Sequence, residues 1–85
     1  MAKSSSDNLQ VLYSYDLTHL NKSHKVRFVY LIKGRNKEKG IVDKLKGKFL
    51  ASACFTIPLK HDSEMRQIMH EWKIRFSRQK IMLIS

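Results

Sequence analysis

The sequence predicts an α+β fold: a single small domain with one sheet of about four strands, one long helix in the C-terminal half and one short helix packed on that sheet. Three observations support this prediction. The chain has 85 residues, which suits one domain. Its 42% hydrophobic and 28% charged residues are a globular balance. Candidate strands alternate with candidate helices. We assign residues 1–8 to a flexible N-terminal tail and residues 9–85 to the domain.

The first strand is predicted over residues 9–17, LQVLYSYDL, where Val and Tyr residues alternate with other types. Residues 25–33, KVRFVYLIK, fit two structures. As a helix they would begin near Ser23 and end at Gly34. Their β-branched and aromatic content favours a strand, which is our prediction, with a fully buried helix as the alternative.

Residues 34–40, GRNKEKG, are predicted to form a charged loop bounded by glycines, and residues 41–47 a short helix that ends at Gly47. Residues 49–57, FLASACFTI, are small and apolar and predict a buried strand that stops before Pro58. Residues 80–85, KIMLIS, predict a final strand.

The longest helix is predicted to begin at Asp62 or Ser63, either of which can cap a helix N-terminus. Apolar residues then follow at spacings of three and four, which places them on one face of the helix. They are Met65, Ile68, Met69, Trp72 and, if the helix extends so far, Phe76.

Several chemistries lack the residues that they need. The single cysteine, Cys54, cannot form an internal disulfide and lies in an apolar run that predicts a buried thiol. The glycines do not have P-loop spacing, and no His or Cys pair has metal-ligand spacing. We therefore expect no catalytic residue, no metal site and no cofactor. One alternative stays open: Asp16 and Asp43 could meet and hold a divalent ion, as in a small metal-dependent nuclease.

No apolar run approaches the roughly 18 residues of a membrane helix, and the N-terminus lacks the apolar core of a secretion signal. A lone cysteine suits a reducing compartment. The sequence therefore predicts a protein without a membrane span that is cytoplasmic, or nuclear in a eukaryote.

Positive charge is the strongest functional signal. The formal net charge is +10, and seven of the sixteen residues from Lys33 to Lys48 are Lys or Arg. Such an excess predicts binding to a nucleic acid through phosphate contacts. The predicted contact residues are Lys33, Arg35, Lys37, Lys39, Lys44, Lys46 and Lys48, with Arg75 and Arg78, treated as one helical turn apart, extending the surface.

Aromatic residues on the predicted strands suggest a second mode of contact, in which Tyr13 or Tyr15 stacks on unpaired bases. LYSYDL, residues 12–17, resembles the shorter sheet motif of RNA-recognition-motif domains, and KGKFLASACF, residues 46–55, resembles the longer one. The sequence departs from that pattern at Ser14 and Asp16 and lacks the aromatic-glycine core. The resemblance covers sixteen residues, favours RNA slightly and transfers no site residue.

RNA and DNA are both open as partners. The alternative function is a protein-interaction module, in which the basic face docks on an acidic partner or an edge strand pairs with a second copy in a homodimer.

Overall fold

The computed structural model describes residues 9–82 and contains a four-stranded antiparallel sheet. Its strands are β1 (Leu9–Asp16), β4 (Lys48–Ala51), β5 (Cys54–Pro58) and β6 (Arg75–Met82). They are ordered β4-β5-β1-β6, so the short β4 and the long β6 form the two edges. The predicted α+β fold class is confirmed. The predicted N-terminal tail and the last three residues of the predicted final strand lie outside the described residues.

Three helices connect these strands. Helix α1 spans Lys22–Lys33, α2 spans Ile41–Lys44 and α3 spans Asp62–Glu71, preceded by a 3-10 turn over Leu59–His61. Between α1 and α2, β2 (Gly34–Arg35) and β3 (Glu38–Lys39) form a small hairpin. The main elements follow the order βαββαβ, and this order with the observed strand neighbours is the split-βαβ, or ferredoxin-like, arrangement.

The core lies between one face of the sheet and the two longer helices. Val11, Tyr13 and Tyr15 alternate along β1 and point to this face, as side chains two apart on a strand must. Phe28 and Ile32 of α1 and the methionines Met65 and Met69 of α3 cover them and are fully buried. Burial of these side chains stabilises the fold, since each large apolar side chain contributes about 1.5–3 kcal/mol.

The strand predicted for residues 25–33 is wrong, because these residues form most of α1. The helix begins at Lys22 and is capped by Asn21, two residues before Ser23; the Asn21 Oδ1 accepts a hydrogen bond from the His24 N–H at 2.8 Å. Phe28 and Ile32, four residues apart, both reach the core. Tertiary burial of this narrow face therefore outweighs the strand propensity of the segment.

Residues 49–57 also differ from the prediction of one buried strand. Ser52 and Ala53 form a turn that separates β4 from β5, and the pairing register shifts between Phe49 and Ala51. Cys54 is half-buried, and its Sγ accepts a hydrogen bond from the Ser14 hydroxyl at 3.8 Å. The small residues in this segment are compatible with a hairpin turn as well as with one continuous strand, so their type did not reveal the turn.

Helix α3 confirms the apolar stripe, with Met65 and Met69 buried and Ile68 and Trp72 packed against the core. Phe76 contributes from β6 rather than from the helix, because the chain turns after Trp72. Asp62 is the first residue of the helix, and its side chain bonds to Tyr13 and Arg78 instead of capping the helix N-terminus.

Candidate nucleic-acid interface

The seven basic residues predicted between positions 33 and 48 lie on consecutive elements of the chain. We call this set the basic surface. Its members run from the end of α1 through the β2–β3 hairpin and α2 to the first residue of β4. They are Lys33, Arg35, Lys37, Lys39, Lys44, Lys46 and Lys48.

Every member of the basic surface is exposed to solvent. Among the described residues 9–82, none of them has a carboxylate within salt-bridge distance. The two acids of this segment, Glu38 and Asp43, are exposed as well. The charges therefore remain uncompensated within the described chain, and a polyanion would find them accessible.

The hairpin is held close to the end of α1 by two glycines. Gly34 has a φ of 90°, and a Cβ there would collide with the backbone carbonyl of Glu38. A Cβ on Gly40 would collide with the backbone of Ile32 and Gly34. Any larger residue would thus separate the strands of the hairpin. The segment predicted as a charged loop bounded by glycines is a short hairpin with Asn36, at a φ of 58°, in its turn.

The backbone conformation at the end of α2 determines the position of Lys46 and the point at which β4 begins. Lys46 has a φ of 66°, and the following Gly47 N–H donates to the Val42 carbonyl at 2.7 Å. These features are those of a helix that ends through a left-handed residue, a place more often taken by glycine. The helix predicted over residues 41–47 is present only over Ile41–Lys44, and Lys46 rather than Gly47 takes the left-handed conformation. Lys48 follows directly on β4.

Two cations of the basic surface lie over aromatic rings. The Lys33 ammonium is 5.1 Å from the centroid of the Phe49 ring, and the Arg35 guanidinium is 4.7 Å from that of Tyr30. Such contacts contribute about 0.5–1 kcal/mol at exposed sites. They orient both side chains while leaving the charges in solvent.

Arg75 and Arg78 do not lie one helical turn apart on a shared face, so that part of the prediction is wrong. Both residues lie on β6, where residues at odd separation point to opposite faces of the sheet. Lys48 lies on the opposite edge strand, three strand spacings or about 14 Å away. Arg75 pairs in register with Asp16 on the face away from the helices.

Arg78 instead belongs to a group that we call the Asp62 cluster, made of Asp62, Tyr13, Arg78 and Arg66. The Asp62 side chain accepts hydrogen bonds from the Tyr13 hydroxyl at 2.6 Å and from Arg78 Nε at 3.2 Å. Arg78 Nη2 also contacts the second carboxylate oxygen, and Arg66 Nε lies 3.3 Å from it. The cluster ties β1, β6 and the start of α3 together.

The protonation of the Asp62 cluster follows from these contacts. Burial opposes ionisation of Asp62, but hydrogen bonds from Tyr13 and Arg78 and the charges of Arg78 and Arg66 outweigh it and lower its pKa. Burial, followed by the hydrogen bond to Asp62 and its charge, raises the pKa of the Tyr13 phenol. Asp62 is therefore ionised and Tyr13 neutral across the physiological range.

The structure does not present Tyr13 and Tyr15 for base stacking. Tyr13 is 0% and Tyr15 8% exposed. Each hydroxyl is bonded inside the protein, that of Tyr13 to Asp62 and that of Tyr15 to the Ser52 carbonyl at 2.9 Å. The rings pack on Phe55 in the core. The stacking prediction fails for both residues because their strand parity points them towards the helices.

Within residues 9–82, the face of the sheet away from the helices also lacks the aromatic side chains that the resemblance to RNA-recognition-motif domains implies. Register places Leu12, Ser14 and Asp16 of β1 on this face beside their partners on β5 and β6. Within the described strands of this sheet, all aromatic residues lie on the helix-covered face. They are Tyr13, Tyr15, Phe49, Phe55 and Phe76.

Sequence reasoning did not identify Arg27 and Tyr30 as site residues. They are three residues apart on α1 and line one cleft with Arg35 and Lys39 of the hairpin. Their spacing is informative only when residues 25–33 are a helix, since on a strand they would point to opposite faces. The wrong secondary structure therefore hid this neighbourhood.

Metal ligation has little support in the described part of the chain. Residues 9–82 contain no group of three or more His, Cys, Asp or Glu side chains placed to share a metal ion. Asp16 accepts hydrogen bonds from the Thr18 N–H and hydroxyl, which lower its pKa, and Asp43 lies on α2. Within the same residues, no helix has both the length and the hydropathy to span a membrane.

Comparison with known proteins finds no matching family model, no matching curated protein and no matching solved structure. A functional proposal for this chain therefore depends on its own side chains and their surroundings.

Proposed function

We propose that this protein binds nucleic acid without catalysis, through contacts between the basic surface and the phosphate backbone. One observation carries the proposal: seven exposed cations lie on consecutive elements, and none has a carboxylate partner among residues 9–82. Like charges concentrated in this way destabilise a compact protein through repulsion. A bound polyanion neutralises that repulsion. The counterions that it releases on binding increase the entropy of the solution, which favours binding.

The composition of the basic surface favours backbone contacts over base reading. Six of its seven cations are lysines, which bind phosphate as point charges. Arg35 is the only guanidinium in the set, and it already lies over the Tyr30 ring. Bidentate recognition of guanine, which requires a free arginine fork, has few candidates here. We therefore expect affinity that depends weakly on sequence.

The hairpin gives the proposal a defined geometry. The close approach of Gly34 and Gly40 fixes the hairpin against α1, so Lys37 at its tip and Lys39 on β3 have a set position. Fewer backbone conformations are lost on binding than in a flexible loop. RNA and DNA both fit these contacts.

Salt dependence tests the proposal directly. A labelled DNA duplex, the matching single strand and an RNA duplex are titrated by fluorescence anisotropy over a series of salt concentrations. Four to six phosphate contacts predict a slope of about −4 to −5 for log affinity against log salt on duplex DNA. A slope near zero, or no binding at low salt, would overturn the proposal.

A second candidate function is protein interaction, which the long edge strand β6 favours. β6 pairs with β1 along eight residues, and among the described strands its other side has no partner. Its exposed charged residues Arg75 and Lys80 would favour an acidic partner strand over a second copy. Light scattering of the isolated chain tests the homodimer: pairing of two copies predicts twice the 10.0 kDa monomer mass.

A further inference from the structure

An open cleft of about 430 Å³ lies between α1, the hairpin and the end of α3. Its volume is within the range of small-ligand sites, about 300–1,000 Å³. Arg27, Arg35 and Lys39 line it, together with one acid, Glu38, so its lining has a net charge of +2. Tyr30 and Trp72 contribute aromatic surface to the same cleft.

The Tyr30 ring is available to a ligand. It remains 43% exposed even with the Arg35 guanidinium 4.7 Å from its centroid. It makes no contribution to the buried core, in contrast to Phe28 and Ile32 on the opposite side of α1. An aromatic ring and a guanidinium plane are the two protein surfaces on which unpaired bases stack.

Trp72 forms one wall of the cleft. Its ring packs on Phe28 with centroids 5.9 Å apart and on His24 at 5.0 Å. The His24 Nε2–H also donates to the Trp72 carbonyl at 3.0 Å. The cleft therefore combines one aromatic wall packed against neighbouring rings with one exposed ring, and cations that suit a phosphate line the same cleft.

We propose that this cleft receives one unpaired nucleobase of a bound strand, stacked on the Tyr30–Arg35 pair, with the flanking phosphates against Arg27 and Lys39. This inference rests on the proposed function, because the strand reaches the cleft from the adjoining basic surface. The positive charge of the cleft favours a nucleotide over a neutral planar ligand, because an aromatic ring alone would stack with either. A strand with unpaired bases binds more tightly than a uniform duplex of equal charge.

The test separates stacking from charge by comparing two strands of equal phosphate number. One is a short thymine oligonucleotide, and the other is an abasic strand of the same length. The protein should bind the thymine strand about 5- to 150-fold more tightly, which corresponds to one stacked base. Trp72, the single tryptophan of the chain, should change its fluorescence with the thymine strand only.

Two substitutions localise the effect. Tyr30→Leu removes the ring and should abolish the preference for the thymine strand, while the salt slope on the abasic strand stays unchanged. Tyr30→Phe keeps the ring and should retain the preference. Circular dichroism melts check that both variants fold, which we expect for a residue outside the core.

The outcomes distinguish this inference from the proposed function. Equal affinity of the unsubstituted protein for both strands, or a preference that survives Tyr30→Leu, overturns the stacking site and leaves the phosphate contacts standing. No binding of either strand at low salt overturns both.

Discussion

In the Asp62 cluster, two arginines share a carboxylate that is only 5% exposed, whereas the lysines of the basic surface face solvent with no carboxylate partner among residues 9–82. From the sequence alone, Arg78 was predicted to act together with the lysines of the basic surface. The difference shows that the position of the acids, not the number of cations, separates a structural charge from one available to a ligand. Asp62 accounts for Arg66 and Arg78, whereas no acid among residues 9–82 forms a salt bridge with the lysines of the hairpin.

The largest expected effect tests the structural side of this comparison. Asp62→Asn leaves Arg78 without its ionic partner and should lower the free energy of unfolding by about 2–4 kcal/mol. Asp43→Asn, which removes an exposed acid from α2, is the matched control and should change it by no more than about 0.5 kcal/mol. Urea unfolding measures both. Equal midpoints for the two variants would show that the cluster contributes nothing to the fold.

The next effect tests the binding side. Lys37→Ala with Lys39→Ala should reduce affinity for duplex DNA roughly tenfold or more and shrink the salt slope by about two units, because two phosphate contacts are lost. Lys60→Ala with Lys80→Ala removes the same charge from exposed positions outside the basic surface. Fluorescence anisotropy compares the two double variants, and circular dichroism should show equal melting temperatures. If both pairs weaken binding equally, net charge rather than the hairpin determines affinity.

The smallest effect concerns Tyr13 and is visible through pH. Tyr13→Phe should cost about 0.5–1.5 kcal/mol near neutral pH, because it removes a buried hydrogen bond to Asp62. Folding raises the pKa of the Tyr13 phenol, so its contribution is complete below the unfolded value of about 10 and is lost as the pH rises above it. Unfolding by urea at a series of pH values should show the difference between the two proteins shrinking above about pH 10. A difference independent of pH would contradict the assignment of this hydrogen bond.

The sequence predicted correctly those elements in which the pattern of apolar residues matches the pattern of buried residues. The stripe on α3 is an example, since Met65 and Met69 are both apolar by type and buried in the structure. Helix α1 was missed because Val26 and Tyr30 on its exposed side are apolar, which hid the period of the buried pair Phe28 and Ile32. The sequence does contain the residue that caps the start of α1. It is Asn21, two residues before Ser23, which we considered as the cap.

The site was predictable only where local sequence determines exposure. Charged residues between two closely spaced glycines, such as Lys37, must lie at the surface in almost any fold. The fate of Arg78 and Tyr13 depends on Asp62, which is 16 and 49 residues away along the chain. The spacing of residues along the sequence does not predict such long-range contacts. It arises from strand register and from the point at which α3 begins.

The pairing of Gly34 with Lys39 at the base of the hairpin bears on how far the hairpin can project from the domain. The constraint on residue size lies at the base, where side chains would collide, and not at the tip formed by Asn36 and Lys37. Adding one residue to each strand would move the tip outward by about 3.4 Å without disturbing the anchor. The length of this arm can therefore change independently of the core, so the span of backbone that it follows is adjustable while the domain beneath it stays the same.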